Sequence, residues 1–367
     1  MRKLKNILRP VHLFLGLLSG LVVFIISITG AIYCFEKPIR NYLYSDIVKA
    51  NNQDLTSRPL NDQLQAVVKK IPEKTVKILV IKKDKNRNTE VHFYQGGLAY
   101  VNPCTLQVME ASQVKNDFLS VALKMHKSLY LGRFGKLLIS VSTLIFFFML
   151  ISGMILWWPV TSKLFFSKIK ILKNTNYFKK VYDLHSVLGF YAFWILIWIA
   201  FTGVYWSNGM VNRAIRSIIK PHVENTAEQI TFSYLDTATA PLNNIFNFVQ
   251  KRYPESSEQF IFLSKENSLP QRVFINYQGS GFFNKQDRLF FNPQTGAAIK
   301  ENKYSNSNSA YKYLASQKQI HTGEILGLFG QCLAFMGSLI GASLPITGFL
   351  MWYEKRKLKA KRAVKEG

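Results

Sequence analysis

The stretch HLFLGLLSGLVVFIISITG, residues 12–30, decides the fold. It is apolar over nearly its whole length, and as a helix it would cross most of the roughly 30 Å hydrocarbon core of a bilayer. Three other stretches have a similar length and composition, so the chain is predicted to be an integral membrane protein and not a plain soluble enzyme. The predicted spans are Leu13–Phe35, Leu137–Trp158, Ser186–Trp206 and Ile325–Tyr353.

Lysine and arginine are concentrated in three short segments: the leader before the first span, the link between spans two and three, and the tail after Tyr353. Cationic residues beside a spanning helix tend to stay in the cytoplasm. We therefore expect both termini in the cytoplasm of a bacterium, four passes through the inner membrane, and two segments in the periplasm. These short segments account for much of the +26 net charge, which leaves little support for nucleic-acid binding.

The second half of the chain repeats the first at fixed offsets. His12, Gly16 and Thr29-Gly30 correspond to His185, Gly189 and Thr202-Gly203. The second and fourth spans match over a longer reach, with two sets of equivalent residues: His126, Gly132, Gly135, Gly153 and Trp157, and His321, Gly327, Gly330, Gly348 and Trp352. Since each half is predicted to start and end in the cytoplasm, we expect parallel repeats that are related by an axis along the membrane normal.

The two periplasmic segments also resemble each other. Each starts with a Pro-Leu-Asn sequence before an amphipathic run, continues in short alternating segments and closes on an Asn-Pro turn, at Asn102-Pro103 and Asn292-Pro293. The predicted fold class is a four-helix transmembrane bundle from two parallel repeats, each with an inserted α+β domain. The expected segments are 1–35 (leader and helix), 36–125 (periplasmic domain), 126–159 (helix), 160–184 (basic cytoplasmic loop), 185–206 (helix), 207–320 (periplasmic domain), 321–353 (helix) and 354–367 (basic cytoplasmic tail).

Four of the six histidines occupy equivalent positions at the starts of the four spans. The topology puts His12 and His185 near the cytoplasmic face and His126 and His321 near the periplasmic face. A core about 30 Å thick cannot be bridged by metal–nitrogen bonds of about 2 Å, so only histidines at the same face can share a metal. An interfacial location without a ligand role is the simpler alternative for each histidine alone.

Two imidazoles with no repeated carboxylate or cysteine beside them favour a haem iron, whose equatorial positions the porphyrin already fills, over zinc. We therefore predict two b-type haems, one held by His12 and His185 and one by His126 and His321. Glycines one turn after each histidine would leave space for a flat macrocycle, with close helix packing as the alternative; they are Gly16, Gly189, Gly132 and Gly327.

Other polar residues carry less information. His92 and His222 have no counterpart in the other half, and we interpret both as ordinary surface or fold residues. Whether Cys34 and Cys104 form a disulfide is left open, as is the oligomeric state. No glycine-rich nucleotide-binding motif follows a strand, so the sequence does not indicate a bound nicotinamide or flavin.

These residues resemble the PepSY-associated transmembrane family over nearly the whole chain. The resemblance rests on His12 with Gly16 and Thr29-Gly30, on the matching patterns around the other three histidines, and on the Asn292-Pro293-Gln294-Thr295-Gly296 turn. The first periplasmic segment departs from the pattern, since its turn lacks the glycine. The resemblance implies a di-haem oxidoreductase that takes electrons from the cytoplasmic side and reduces a ferric siderophore or other chelated iron. The electron donor itself is left open between a quinol and a separate flavoprotein.

Two alternatives stay open on the sequence. One is a non-enzymatic membrane protein whose PepSY-like segments bind a periplasmic protein or peptide. The other is a transporter of a siderophore or metal, which the parallel repeats favour. The spans lack charged residues near their midpoints and only Pro345 interrupts one, which disfavours the transporter.

Overall fold

A computed structural model describes residues 2–50, 56–84, 86–110, 117–159, 161, 164–172, 174–220, 241–264, 269–277 and 285–366. His222 lies outside the described residues. The helices are α1 Arg2–Tyr33, α2 Glu36–Leu43, α3 Ser45–Val48, α4 Leu60–Lys70, α5 Phe118–Ser128, α6 Gly132–Trp157, α7 Phe165–Lys168, α8 Tyr177–Ser207, α9 Gly209–Ile219, α10 Pro241–Arg252, α11 Ser309–Ala315, α12 Gln317–Thr322 and α13 Gly327–Glu366. The strands are β1 Val76–Lys82, β2 Thr89–Phe93, β3 Leu98–Val101, β4 Val108–Glu110, β5 Glu258–Phe262, β6 Gln271–Asn276, β7 Gln286–Phe291 and β8 Ala298–Asn302.

The chain divides into a helical unit, residues 1–36, 121–218 and 317–367, and a sheet unit, residues 37–120 and 219–316. The helical unit contains four helices long and apolar enough to cross a membrane: Arg2–Tyr33, Gly132–Trp157, Tyr177–Ser207 and Glu324–Leu358. The prediction of four spanning helices is confirmed. Each of these helices begins before the apolar stretch that identified it, by between one and eleven residues.

The four long helices form a bundle in which α1 packs against α6 and α13, and α8 packs against the same two helices. Helices α1 and α8 are therefore diagonal to each other, as are α6 and α13. Small residues allow the close crossings: a Cβ added to Gly20 would lie 3.3 Å from Pro345, and one added to Gly337 would lie 3.0 Å from Ile195. The outward surface is apolar, as expected for contact with lipid; Leu21, for example, is 72% exposed.

Two of the histidines lie on short helices that precede the spanning ones. His126 lies in α5 and His321 in α12, whereas the sequence placed both at the start of a single long helix. The chain breaks between α5 and α6 because Leu129, Tyr130 and Gly132 have positive φ. Gly323 and Gly327 have positive φ in the corresponding break between α12 and α13. The sequence did not reveal these breaks, since leucine and tyrosine rarely adopt this backbone conformation.

The sheet unit contains one antiparallel sheet of eight strands in the order β4-β3-β2-β1-β5-β6-β7-β8. The sequence treated the two segments as separate domains, but β1 of the first pairs with β5 of the second, with Leu79 opposite Ile261. Both side chains are fully buried. This pairing removes two strand edges that separate four-stranded sheets would leave open.

Helices α4 and α10 pack beside each other and cover one face of the sheet. Their N-terminal ends are linked, because the backbone N–H of Asn61 donates to Oδ1 of Asn243 at 2.8 Å. The core between helices and sheet contains Val67, Ile245 and Val249, all fully buried. The three cysteines are free, so Cys34 and Cys104 are not joined.

The shared sheet predicts a specific cross-link between the two segments. Lys83 N–H donates to the Ser257 carbonyl at 2.9 Å, so the next opposed pair, Lys82 and Glu258, is a non-hydrogen-bonded pair with Cα atoms about 4.5 Å apart. In a chain with its native cysteines replaced by serine, Lys82→Cys with Glu258→Cys should therefore form a disulfide upon mild oxidation, detected by mass spectrometry of tryptic peptides.

The matched control is Lys82→Cys with Asn276→Cys, because Asn276 lies opposite Glu258 on the next strand. Two inter-strand steps amount to about 10 Å, which is too far for a disulfide. Equal cross-linking of both pairs, or of neither, would contradict the register of β1 and β5.

Candidate functional site

All four predicted histidines belong to the helical unit, and each is half-buried. His12 lies inside α1 and His185 inside α8, because both helices start well before the histidine. His126 lies two residues before the end of α5, and His321 lies one residue before the end of α12. The four imidazoles thus come from four different helices.

His126 and His321 come together, as the sequence predicted for equivalent residues of the two halves. Their ring centroids are 6.1 Å apart and their planes are inclined at 68°. One metal between two imidazoles needs two bonds of about 2 Å plus about 1 Å from each nitrogen to its ring centre, or about 6 Å in all. The observed separation is therefore compatible with one metal ion between the rings. Trp206 lies beside this pair, with its ring 5.4 Å from that of His321.

His12 and His185 are the other predicted pair, and the two residues lie near enough for their charges to interact. The Nδ1 atom of His12 lies 2.8 Å from the Ser152 hydroxyl. The Nδ1 atom of His185 lies 2.8 Å from the Thr347 hydroxyl. Each ring of this pair is thus held at one nitrogen by a neighbouring spanning helix.

The same hydroxyl contact recurs at the other pair. The Nδ1 atom of His321 lies 2.8 Å from the Thr202 hydroxyl and 3.1 Å from the Ile199 carbonyl. The Nδ1 atom of His126 lies 2.8 Å from the Ile26 carbonyl and 3.4 Å from the Thr29 hydroxyl. All four histidines therefore contact, through Nδ1, a serine or threonine that directly precedes a glycine.

These hydrogen bonds determine the tautomer of the neutral imidazoles. Each hydroxyl already donates its proton to a carbonyl of its own helix; Thr202, for example, donates to Trp198 at 2.9 Å. Equivalent bonds run from Ser152 to Met149 and from Thr347 to Ser343. Such a hydroxyl can only accept from the imidazole, so the proton lies on Nδ1. The Nε2 lone pair is then left for a metal, which is the usual arrangement of a ligating histidine.

The glycine after each hydroxyl residue keeps the imidazole carbon Cε1 free of crowding. A Cβ added to Gly30 would lie 3.1 Å from Cε1 of His126, and one added to Gly203 would lie 3.6 Å from Cε1 of His321. At the second pair, a Cβ on Gly153 would lie 3.3 Å from His12, and one on Gly348 would lie 3.5 Å from His185. Larger side chains at these positions would displace the rings.

The glycines that the sequence proposed as space for a macrocycle have other local surroundings. Gly132 and Gly327 have positive φ, a backbone conformation that favours glycine, and a Cβ on either would meet nothing within 4 Å, so the space beside them that the sequence predicted is present. Gly16 and Gly189 face other helices: an added Cβ would lie 3.0 Å from Met149 and 3.7 Å from Leu344. The glycines in contact with the histidines are instead the four of the Ser/Thr-Gly dipeptides.

The donor set of each pair consists of two imidazoles. Among the described residues there is no group of three or more histidine, cysteine or acidic side chains that could hold a bare metal ion. A haem iron needs only two axial donors, and the combination of neighbouring imidazoles, fixed Nδ1 atoms and flanking glycines at His126 and His321 fits that need. The residues of that pair therefore fit a haem, and His12 and His185 have the same donor set.

Sequence reasoning missed the roles of Ser152, Thr347 and Trp206. Thr29-Gly30 and Thr202-Gly203 were used only as markers of the repeat, although they contact the histidines. The usable signal was present: in each half, every histidine has a Ser/Thr-Gly dipeptide near the opposite end of the partner helix. Antiparallel helices bring those two positions to the same level.

The fold and the paired histidines define an integral membrane protein with four spanning helices and an antiparallel sheet unit. The sequence model of the PepSY-associated TM region matches residues 9–355, which is nearly the whole chain. The chain therefore belongs to this family. No curated protein sequence matches it significantly.

The tautomer assignment can be tested on haem-free, histidine-labelled protein by solid-state ¹⁵N NMR. We expect Nδ1 protonated and Nε2 unprotonated in the four site histidines at neutral pH. His92 is an internal reference with the proton on the other nitrogen, because its Nε2 lies 2.7 Å from a Glu90 carboxylate oxygen that can only accept. The His92→Gln variant identifies the signal of His92. Protonated Nε2 signals that persist in a protein with both His92→Gln and His222→Gln, which retains only the four site histidines, would contradict the assignment.

Proposed function

We propose that this protein transfers electrons across a membrane through two bis-histidine b-type haems, from a cytoplasmic-side donor to chelated ferric iron on the other side. His12 and His185 would hold one haem, and His126 and His321 the other. The observation that carries the proposal is that the His126 and His321 rings lie with centroids 6.1 Å apart and have both Nδ1 atoms hydrogen-bonded.

The recurrence of one contact pattern in both halves supports parallel repeats. In the first half, His126 contacts Thr29-Gly30 of α1; in the second, His321 contacts Thr202-Gly203 of α8. We further propose that both termini lie in the cytoplasm of a bacterium and that the sheet unit lies in the periplasm. The cationic residues of the leader, the link and the tail support this orientation.

The two histidine pairs would lie near opposite faces of the bilayer. Gly30, which flanks His126, lies about 27 Å along α1 from His12 at about 1.5 Å rise per residue. That distance approaches the roughly 30 Å of the hydrocarbon core. An electron would then have one site near each face and not a single site in the middle.

Bound haem would supply one-electron redox chemistry at each pair. Two imidazoles would hold each haem, and such a pair of ligands would favour electron transfer over binding of oxygen. The hydroxyls of Ser152, Thr202 and Thr347 fix the ring orientation, and the surrounding helices limit access of water. Since one electron converts ferric to ferrous iron with no proton transfer at carbon, the site needs no general acid or base.

The class of substrate is the one that the family resemblance implies. On that basis the protein would be a haem-dependent transmembrane ferric-chelate reductase acting on a ferric siderophore. The electron would come from a quinol or a flavoprotein at the cytoplasmic side, one electron for each ferric ion reduced.

Single histidine variants test the haem assignment. The wild-type protein should contain two b-type haems per chain with low-spin absorption bands after reduction. His126→Ala or His321→Ala should remove one of the two, because a single remaining imidazole leaves an axial position empty. His12→Ala or His185→Ala should remove the other. Haem content is measured by the pyridine haemochrome method.

His92→Ala is the matched control, since His92 lies in the sheet unit and pairs with Glu90. It should retain both haems. Full haem content in all four site variants, or a loss in His92→Ala alone, would contradict the assignment.

The glycine beside each imidazole gives an independent test. Gly30→Val should displace His126, because even a Cβ would lie 3.1 Å from its Cε1 atom, and haem content should fall by about half. Gly209→Val is the control, since a Cβ there meets only the end of Arg213 at 3.7 Å. Equal haem content in the two variants would show that Gly30 does not shape the site.

A further inference from the structure

The sheet has a second face, opposite the one that α4 and α10 cover. Side chains directly opposed on neighbouring strands lie on the same face. Phe262 pairs with Arg272, which pairs with Phe290, and Phe274 pairs with Arg288. Together with Phe260, opposite Phe274, they form a patch of alternating rings and cations on β5, β6 and β7, which we call the arginine–phenylalanine patch: Phe260, Phe262, Arg272, Phe274, Arg288 and Phe290.

The guanidinium groups of the patch stack on aromatic rings. The Arg272 guanidinium carbon lies 5.4 Å from the centre of the Phe262 ring. The Arg288 guanidinium carbon lies 4.8 Å from the Phe274 ring and 5.1 Å from the Tyr311 ring. Phe262 and Phe274 are in contact, with centroids 4.7 Å apart. Stacking orients the arginines and leaves N–H groups at the edges of their planes for an acceptor.

Neither arginine forms an ion pair with an acidic residue in the part of the chain that the structure describes. The one side-chain hydrogen bond of Arg288 there runs from Nε to Oε1 of the neutral Gln286 at 3.1 Å. Arg272 is exposed, whereas Phe262, Phe274 and Arg288 are half-buried. The patch therefore combines accessible aromatic surface with positive charge that the described residues do not neutralise.

The corresponding part of the first segment has different chemistry on the same face. There β2 carries Glu90 and His92, which are hydrogen-bonded at 2.7 Å. Burial favours the neutral carboxyl, but the bond from His92 holds the pKa of Glu90 below its usual value. Tyr100 of β3 is buried beside Val48. The sheet thus forms without a cationic aromatic patch on this side, so the fold does not by itself require one on β5 to β7.

The residue types of the patch define the class of ligand. Guanidinium edges bind carboxylate and phenolate oxygens with paired hydrogen bonds. Phenylalanine faces pack against other planar rings. A ligand that satisfies both is anionic and carries its oxygens on aromatic rings. A neutral, aliphatic ligand would leave both features unused.

We propose that the arginine–phenylalanine patch binds an anionic ferric catecholate chelate, in which the iron is held by oxygens on aromatic rings. This proposal rests on the proposed function for the role of the ligand as substrate. The binding itself depends on Arg272, Arg288 and the two rings beneath them.

Binding can be measured separately from electron transfer with the gallium(III) complex of 2,3-dihydroxybenzoate, because gallium(III) is not reduced under these conditions. The full-length protein in detergent is titrated by isothermal calorimetry, with a neutral gallium trihydroxamate as the comparison ligand. The catecholate complex should bind the wild type at least about tenfold more tightly than the hydroxamate. Its affinity should fall as salt is raised, since the arginines are exposed to screening.

The double variant Arg272→Gln with Arg288→Gln should weaken catecholate binding by about tenfold or more, with haem spectrum and melting temperature unchanged. Arg272→Gln alone, at an exposed position, provides a variant that does not disturb the fold. Lys70→Gln removes an exposed cation from α4 across the sheet and should bind as the wild type does. Equal affinity of all variants, or equal binding of both complexes, would overturn the proposal.

The same samples separate this proposal from the haem assignment. Catecholate binding that depends on the arginines in a protein without haem would support the patch while contradicting the electron-transfer function. Two haems per chain with no arginine-dependent binding would leave that function intact and overturn the patch.

Discussion

The geometry of the site depends on the hydrogen bond between each histidine Nδ1 and a neighbouring spanning helix. In an apolar bundle an unpaired imidazole N–H is costly, so a hydroxyl or carbonyl at this level fixes both the ring and its tautomer. Thr202 and Thr347 serve this purpose at 2.8 Å. The glycine that follows each hydroxyl then determines how closely the imidazole approaches that helix. The position and the orientation of each ring are in this way set by the same pair of residues.

Much of the fold was predictable from the sequence. The four spans follow from apolar length, and the pairing of His126 with His321 follows from matched offsets and the impossibility of bridging the bilayer. The breaks before α6 and α13 were not predictable, because Leu129 and Tyr130 carry no signal for positive φ. The joining of the two segments through β1 and β5 was missed as well. Local alternation predicts a strand but not which strand lies beside it.

The glycines show where residue type alone was insufficient. Gly132 and Gly327 were chosen for their spacing from a histidine, and their positive φ gives a second reason for glycine there. Gly30 and Gly203 lie in the chain far from the histidines they flank, and only the helix pairing brings them there. A glycine needed for backbone conformation and one needed for close approach look alike in sequence. The contacts across the bundle distinguish them.

The central claim is that two imidazoles from opposite halves of the chain share one iron at each of two levels. Electron paramagnetic resonance of the oxidised, full-length protein tests this most directly, because bis-imidazole ferric haem has a characteristic low-spin spectrum. The account predicts low-spin signals from two distinct haems that together equal two spins per chain. A high-spin spectrum, or the absence of any haem signal from protein purified from cells supplied with iron, would contradict it.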